Sequence, residues 1–579
     1  MRSSFFGLNI ATQGLYTAQT ALNITTHNIA NAETNGYSRQ YAEISATRAL
    51  PDGSRGMVGT GAEVTGIFQL RNTYIDSKFW SMSTDLGQYK VKNELLGQLE
   101  LLFNEPSDTG YNVTMGNVYS SLQALATNPA EDAMVTNFIN SADSFAQYFN
   151  NIAKQMVNYQ REANFGVKTS VTQINFIAEQ IATINSQIGN MELNGGVAND
   201  LRDKRVKLVD QLSEIINIEA KELTDVNGKK RFTISINGQS LVDGNAVNLL
   251  KTVPRTDLNN PEDQADLYDI YWQSGKKLYL NNSAASGTLK GYLDVRDGNN
   301  SNNFKGNIDS IITAPAPGAP AIVVDNISRH DIPTSGTITI GKEVLEYTDI
   351  SYSGGQITFT LTAAPPASVA VNQKVEIGEA VAYKGVPYYI QKLNEFVRTM
   401  AKEFNTIHKK GNNNTGTELF NFEGYTGAPP QDPLVEINDN FSYNQINIHN
   451  FSFSQDIIRD NSKLLTSATD GIGESANDLL LEMLNTKHDV DMFKKGKPDS
   501  FMQSLISELG IDSKQAASFE KGQANLTNLI ENQRKSISSV DLNEETADMI
   551  RFQQAYNLSA KIISVMDEIY NVTINQLVR

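Results

Sequence analysis

The clearest alternation of apolar and polar positions lies at the two ends of the chain. Leu8, Ala11, Leu15, Ala18, Leu22, Thr25 and Ile29 recur at alternating steps of three and four, the spacing of a helical stripe that supercoils on a partner. Met549, Phe552, Tyr556, Ser559, Ile563, Met566, Tyr570, Thr573 and Leu577 repeat the pattern near the other end. Both ends are expected to be long amphipathic helices, the second opening on Glu544-Glu545, acids that suit a helix N-terminus. Ala and Thr occupy alternate stripe positions at one end, while aromatic residues and Met fill much of the other. Small against large predicts a close approach, so the first and last helices are expected to pack together.

Between them, helical periodicity covers residues 84–103, 112–126 and 130–193, the last either one very long helix or two broken near Asn164, Phe165 and Gly166. A helix over 199–216 follows. Strand-like alternation then takes over at 231–237, 240–242 and 268–272, with Asn237-Gly238 as a turn. A second β region runs over 311–383, opened by the Pro-rich stretch 314–320, before helical sequence resumes at 388–408 and from 472 to the end.

The expected fold is α+β and multidomain: paired long terminal helices, coiled-coil-like, plus a helical bundle domain and inserted outer β domains. Its expected units are 1–35 with 540–579, 36–220 with 384–539, 221–304, and 305–383. This nesting brings the two termini to one end of an elongated molecule and the β domains to the other.

Charge and composition narrow the function. Lys and Arg number 48 against 65 Asp and Glu, a net charge of −17, which argues against nucleic acid as a partner because phosphate binding needs clustered cations. There is no cysteine, so disulfides and thiolate sites are excluded. The first residues lack the apolar core of a cleaved export signal, and no apolar run is long enough to span a membrane, so no membrane partner is expected. The five histidines, His27, His330, His408, His449 and His488, fall in no metal-ligand spacing. No phosphate-binding loop or nucleophile elbow occurs. No catalytic residue, metal or cofactor is expected, and the charged run Asp200-Leu-Arg-Asp-Lys-Arg205 is read as a solvated face or a helix clamp.

The stretch Ala18-Gln-Thr-Ala-Leu-Asn-Ile-Thr-Thr-His-Asn-Ile-Ala-Asn-Ala-Glu-Thr-Asn-Gly-Tyr-Ser-Arg-Gln40 resembles the N-terminal motif of the flagellar rod, hook and hook-associated axial proteins. Its ending, Gly36 to Gln40, is most similar to the hook-associated members. The resemblance continues through Gly59-Thr-Gly61, Val64, Arg71, Asp76, residues 200–205, 208–212 and 293–297, and closes with 540–563. Asn35 stands where these proteins often carry Pro, and Asn-Gly also makes a turn.

This resemblance implies an exported structural subunit, not an enzyme, that joins hook to filament and is needed for filament assembly. The implied partners are a ring of identical subunits, the hook protein, a second junction protein and a flagellar export chaperone. The implied location is the extracellular flagellum, reached through the flagellar type III apparatus. Assembly is expected to use Leu8, Leu15, Leu22, Ile29, Met549, Phe552, Tyr556, Ile563, Met566, Tyr570 and Leu577. Asn28, Asn31, Asn35, Gly36 and Tyr37 are expected to end the first helix and fix the angle at which the chain leaves it. Another rod or hook axial protein, or a surface adhesin acting through the outer β domain, are the alternatives.

Overall fold

The computed structural model describes residues 6–51, 56–103, 110–224, 230–255, 258–260, 263–280, 285–300, 304–313, 319–328, 332–353, 355–378, 381–422, 443–469, 476–493 and 496–575. The chain opens with helix α1 (Phe6–Ala30) and a hairpin whose long strands are β1 (Gln40–Ala46) and β4 (Ala62–Gln69), with the short pair β2 (Leu50–Pro51) and β3 (Met57–Val58) between them. Helices α2 (Thr73–Phe103), α3 (Tyr111–Thr127), α4 (Asp132–Met191) and α5 (Asn199–Ile215) follow. Helix α6 (Thr288–Asp297) stands between the two β regions, and after the second the chain returns through α7 (Val386–His408), α8 (Pro498–Ser538) and α9 (Leu542–Asn575). The α+β class holds, with paired terminal helices. The hairpin has no counterpart among the sequence expectations, because β1 and β4 are largely exposed and lack a clean apolar alternation.

Helix α4 is unbroken over 60 residues, about 90 Å at 1.5 Å per residue. The three-four pattern runs through Gly166, whose missing side chain serves a close approach: a Cβ there would lie 2.5 Å from the Tyr292 ring on α6. One helix thereby belongs to two cores. Its first half sends Phe138, Phe145, Phe149 and Met156 into a cluster with Phe396 and Phe404 of α7. Phe145 and Phe149 meet edge to face at 5.1 Å, and Phe396 stacks on Phe493 at 5.3 Å, geometries that add to simple burial. Its second half sends Val167, Ile174, Ile177 and Ile181 against Val209 and Leu212 of α5 and Trp272 of the first β region.

Buried polar side chains pin α7. Asn405, fully buried, accepts from the Leu419 and Phe420 amides at 2.8 and 2.9 Å and donates to the Phe420 carbonyl at 2.7 Å, substituting for a strand neighbour. His408 accepts from the Leu465 amide at Nε2, 3.0 Å, so its Nδ1 donates to the Thr417 carbonyl at 2.6 Å. Burial pushes its pKa down, in keeping with a neutral ring.

The first β region contains the antiparallel sheet β5 (Glu219–Thr224), β6 (Lys230–Ile236), β7 (Gln239–Asp243) and β8 (Ala246–Val247), with β9 (Leu250–Pro254) paired to β10 (Tyr268–Trp272). Phe232, Ile234 and Ile236 alternate inward along β6. The second is a closed barrel ordered β11 (Lys305–Ile312), β12 (Ala321–Asp325), β15 (Gln356–Leu361), β14 (Glu343–Ser353), β13 (Gly336–Ile340) and β16 (Lys374–Glu376). Its interior holds Phe304, Ile308, Ile322, Ile338, Ile357 and Phe359. Closure leaves no unpaired sheet edge. Most of the Pro-rich opening expected at 314–320 lies outside the described residues.

The barrel enters and leaves the helical body at one point, where the Asn300 amide donates to Tyr383 at 2.8 Å and the Gly385 amide to Gly298 at 2.9 Å. Just before it, Asp297 at the end of α6 accepts Arg296 at 2.6 and 3.0 Å and Arg255 of the first β region at 3.2 and 3.3 Å. Burial alone would raise the Asp297 carboxyl, but the two guanidinium groups outweigh it and hold it well below the ordinary carboxylate range.

Two outcomes follow from these contacts. Asp297→Asn leaves two arginines without their anion and should cost about 3–5 kcal/mol at neutral pH. Because the folded pKa is depressed, the wild-type contribution is complete above the unfolded carboxylate value and is lost as pH falls through the folded one. The difference between variant and wild type should therefore shrink in acid, read by denaturant unfolding at stepped pH. Replacing residues 301–381 with a short Gly-Ser linker should leave the helical body folded, checked by circular dichroism of the shortened chain.

Candidate assembly interface

The two terminal helices lie antiparallel. Gly7 faces Met566, Gly14 faces Ser559 and Asn28 bonds Glu545 at 3.1 Å, levels separated by seven and then fourteen residues on both helices. By the same register Ala21 lies level with Phe552. A Cβ at Gly7 would collide with the Met566 side chain, and one at Gly14 would lie 3.2 Å from Ser559 Oγ. Small residues at every seventh position let the larger α9 side chains in.

Met549, Phe552, Tyr556, Ile563, Met566 and Tyr570 are half-buried on α9. On α1, Leu8, Leu15, Leu22 and Ile29 are half-buried beside the seam, one position along from Gly7, Gly14, Ala21 and Asn28. Hydrophobicity selects the leucines, whereas backbone proximity selects glycine and alanine, to which an apolar pattern is blind. Leu577 lies outside the described residues.

α1 also packs on the hairpin, Thr17 donating to the Ala62 carbonyl at 2.9 Å. At the end of the helix pair one side chain ties three segments together. Asn28, 1% exposed, donates from Nδ2 to the Gln40 carbonyl at 2.8 Å and to Glu545. Its Oδ1 accepts the Tyr37 hydroxyl at 2.7 Å and the Gln40 amide at 3.0 Å. Asn31 donates back to the His27 carbonyl and accepts from Thr34. Asn35 is exposed, and Gly36 takes φ +87 against the Lys207 stem, a conformation that favours glycine. Burial, then the Asp200 and Asp203 charges, push the Tyr37 pKa up, so the hydroxyl keeps the proton it donates.

Periodicity does not locate the residues that fasten this turn to the helical body. Arg39 bonds Glu545 at 2.6 Å and Glu544 at 3.0 Å, while its amide donates to Ser538 at the end of α8. Asp203 on α5, 6% exposed, accepts the Ser38 amide and hydroxyl at 2.9 and 2.8 Å and Arg71 at 3.1 Å. Arg71 also grips Asp76 at 2.7 Å, and Arg534 bonds Asp210, which accepts Trp80 Nε1–H. Burial raises the Asp203 and Asp210 carboxyls against these donors. The run 200–205 is thus in part a clamp, with Arg205 buried over the Phe232 ring at 3.9 Å. The joint borders a cleft of about 400 Å³, lined by the 32–38 turn, Lys207 and Arg534.

The far side of α9 faces solvent. Leu558, Ile562, Val565, Ile569 and Val572 form an apolar stripe at three-four spacing, with Leu558 62% exposed. A stripe this long on one helix marks an interaction surface. Among the described residues no helix is long and apolar enough to cross a membrane.

Gly14→Leu should force the terminal helices apart at a cost of about 1–3 kcal/mol. Hydrogen exchange should quicken along α1 and α9 while α2 to α7 keep their protection.

Residues 96–316 match the family model described as the flagellar hook-associated protein FlgK helical domain, and residues 536–577 match the flagellar basal body rod FlgEFG protein C-terminal model. Flagellar hook-associated protein 1 of Bacillus subtilis is 25% identical, with 99% of each chain aligned. Its namesake in Escherichia coli is 24% identical across 98% of this chain and 99% of its own. The solved flagellar hook junction protein FlgK from Burkholderia pseudomallei aligns with 80% of this chain and 100% of its own, at 15% identity and a TM-score of 0.46. Over nearly its whole length the chain is thus similar to proteins named flagellar hook-associated protein 1, and its helical and C-terminal regions match flagellar axial-protein models.

Proposed function

We propose that this protein is a structural subunit of the bacterial flagellum that sits between hook and filament and lets the filament assemble. The observation that carries the reading is the terminal helix pair, which packs inward along one stripe of α9 and presents a second apolar stripe outward. Burying that stripe against other copies supplies a driving force of roughly 25 cal/mol per Å². The half-buried residues of the α1–α9 seam support the same role, since identical subunits arranged as a ring can share them with neighbours. The full-length similarity to relatives named for the hook supports the location.

On this reading the hook protein lies on one side of the layer and a second junction protein on the other. The subunit leaves the cell through the flagellar export apparatus, with a chaperone covering the exposed α9 stripe before assembly. The role is structural, and no catalytic chemistry is assigned.

Cells lacking the gene should carry bare hooks and shed flagellin into the medium. Missing hooks would move the protein into the rod or hook, and normal filaments would refute the junction reading. Leu558→Lys combined with Ile562→Lys should leave the monomer folded, because both positions face solvent, but reduce motility and filament number at least tenfold.

A further inference from the structure

The helical body carries two exposed apolar faces that the terminal pair does not use. On α4, Phe165 and Phe176 are 68% and 59% exposed, opposite the face that enters the core. On α8, Ile511, Leu526 and Leu529 are 65%, 47% and 55% exposed. Between Phe519 and Leu526 lies Gly522, where a Cβ would meet nothing within 4 Å. The result is a notch bounded by apolar side chains.

These faces lie on different flanks at the same height. Phe519 and Glu520 of α8 meet Tyr89 and Asn93 of α2, at 5.0 and 2.7 Å. α2 packs on α6, whose Tyr292 covers Gly166 of α4. The order across the body at this level is therefore α8, α2, α6, α4. The two outer helices also run the same way. α8 is antiparallel to α2, as the pairs Asn93–Glu520 and Phe79–Arg534 show. α2 is parallel to α5 and α5 antiparallel to α4, from Trp80–Asp210, Thr84–Ser213, Arg202–Glu192 and Arg205–Asn185.

We propose that the α8 face of one subunit packs against the α4 face of the next, with Phe165 entering the notch at Gly522. This rests on the ring reading above and supplies its lateral contact. A second copy is the occupant the geometry favours. Subunits of a ring share one axial direction, so parallel helices on opposite flanks at equal height meet without axial offset, and unlike faces generate a closed ring where a self-complementary face would stop at a dimer. Exposed charges of both signs, Arg161, Glu162, Lys168 and Glu179, surround the two phenylalanines on α4, so the contact rests on the apolar side chains and their register.

The absence of native cysteine makes the test direct. Full-length chains carrying Phe165→Cys, Gly522→Cys or both would be expressed in cells lacking the gene, and isolated hook–filament particles mildly oxidised. The double variant should give a ladder of oligomers on non-reducing gels, and each single variant only monomer. Thermal melting of the purified monomers confirms folding. A dimer from either single variant overturns the contact, as does a folded double variant that remains monomeric in the particles or is excluded from them. Absence of the parent chain from the particles would instead overturn the junction reading itself.

Discussion

Arg39, Glu545 and Asn28 form the contact on which the architecture turns. Residues 517 positions apart in sequence meet there: Asn28 near the end of α1 and Glu545 in the first turn of α9, 1% exposed on a helix whose other described side chains are half-buried or exposed. Arg39 reaches the same carboxylate from the other side and holds the end of α8 through its amide. Since α1 and α9 are bonded at this level, every intervening element must leave and return through the same joint. The nested order of helices, β regions and helices is the consequence.

Above the joint, α4 gives the body its length. Its two halves serve different cores, the aromatic cluster around α7 and the β-covered cluster around α5. A bend between those cores would have to break continuous backbone hydrogen bonds in the helix. The body is accordingly a stiff bar that spans the two cores. The barrel is attached differently, through two adjacent strands of chain at Gly298 and Gly385, so its shape can vary with little effect on the bar.

Charge is used sparingly and at junctions. Asp297 with Arg255 and Arg296 fixes the first β region to α6, and Asp203 with Arg71 and Ser38 fixes the turn after α1 to α5. Such groups are costly to bury and directional once paired. They therefore set the angle between parts whose apolar contacts alone would permit several arrangements.

The amino-acid sequence by itself determined the periodic elements: the helical stripes at both ends, the helical pattern of α4 though not its continuity through Gly166, and alternating strands such as β6 and β15, because side-chain period follows directly from backbone geometry. It also determined the exclusion of disulfides. Tertiary structure alone decided which face of α1 meets α9, since Gly7, Gly14 and Ala21 matter through closeness and not through hydrophobicity. It decided that Asp203 is a clamp and Asp200 a half-solvated neighbour, though both stand in one charged run. It decided that the weakly patterned 40–69 segment is a hairpin, held by α1 and α5 and not by its own apolar face. Local spacing encodes what a segment can become, whereas the partners of a small or charged side chain are fixed only when distant segments meet.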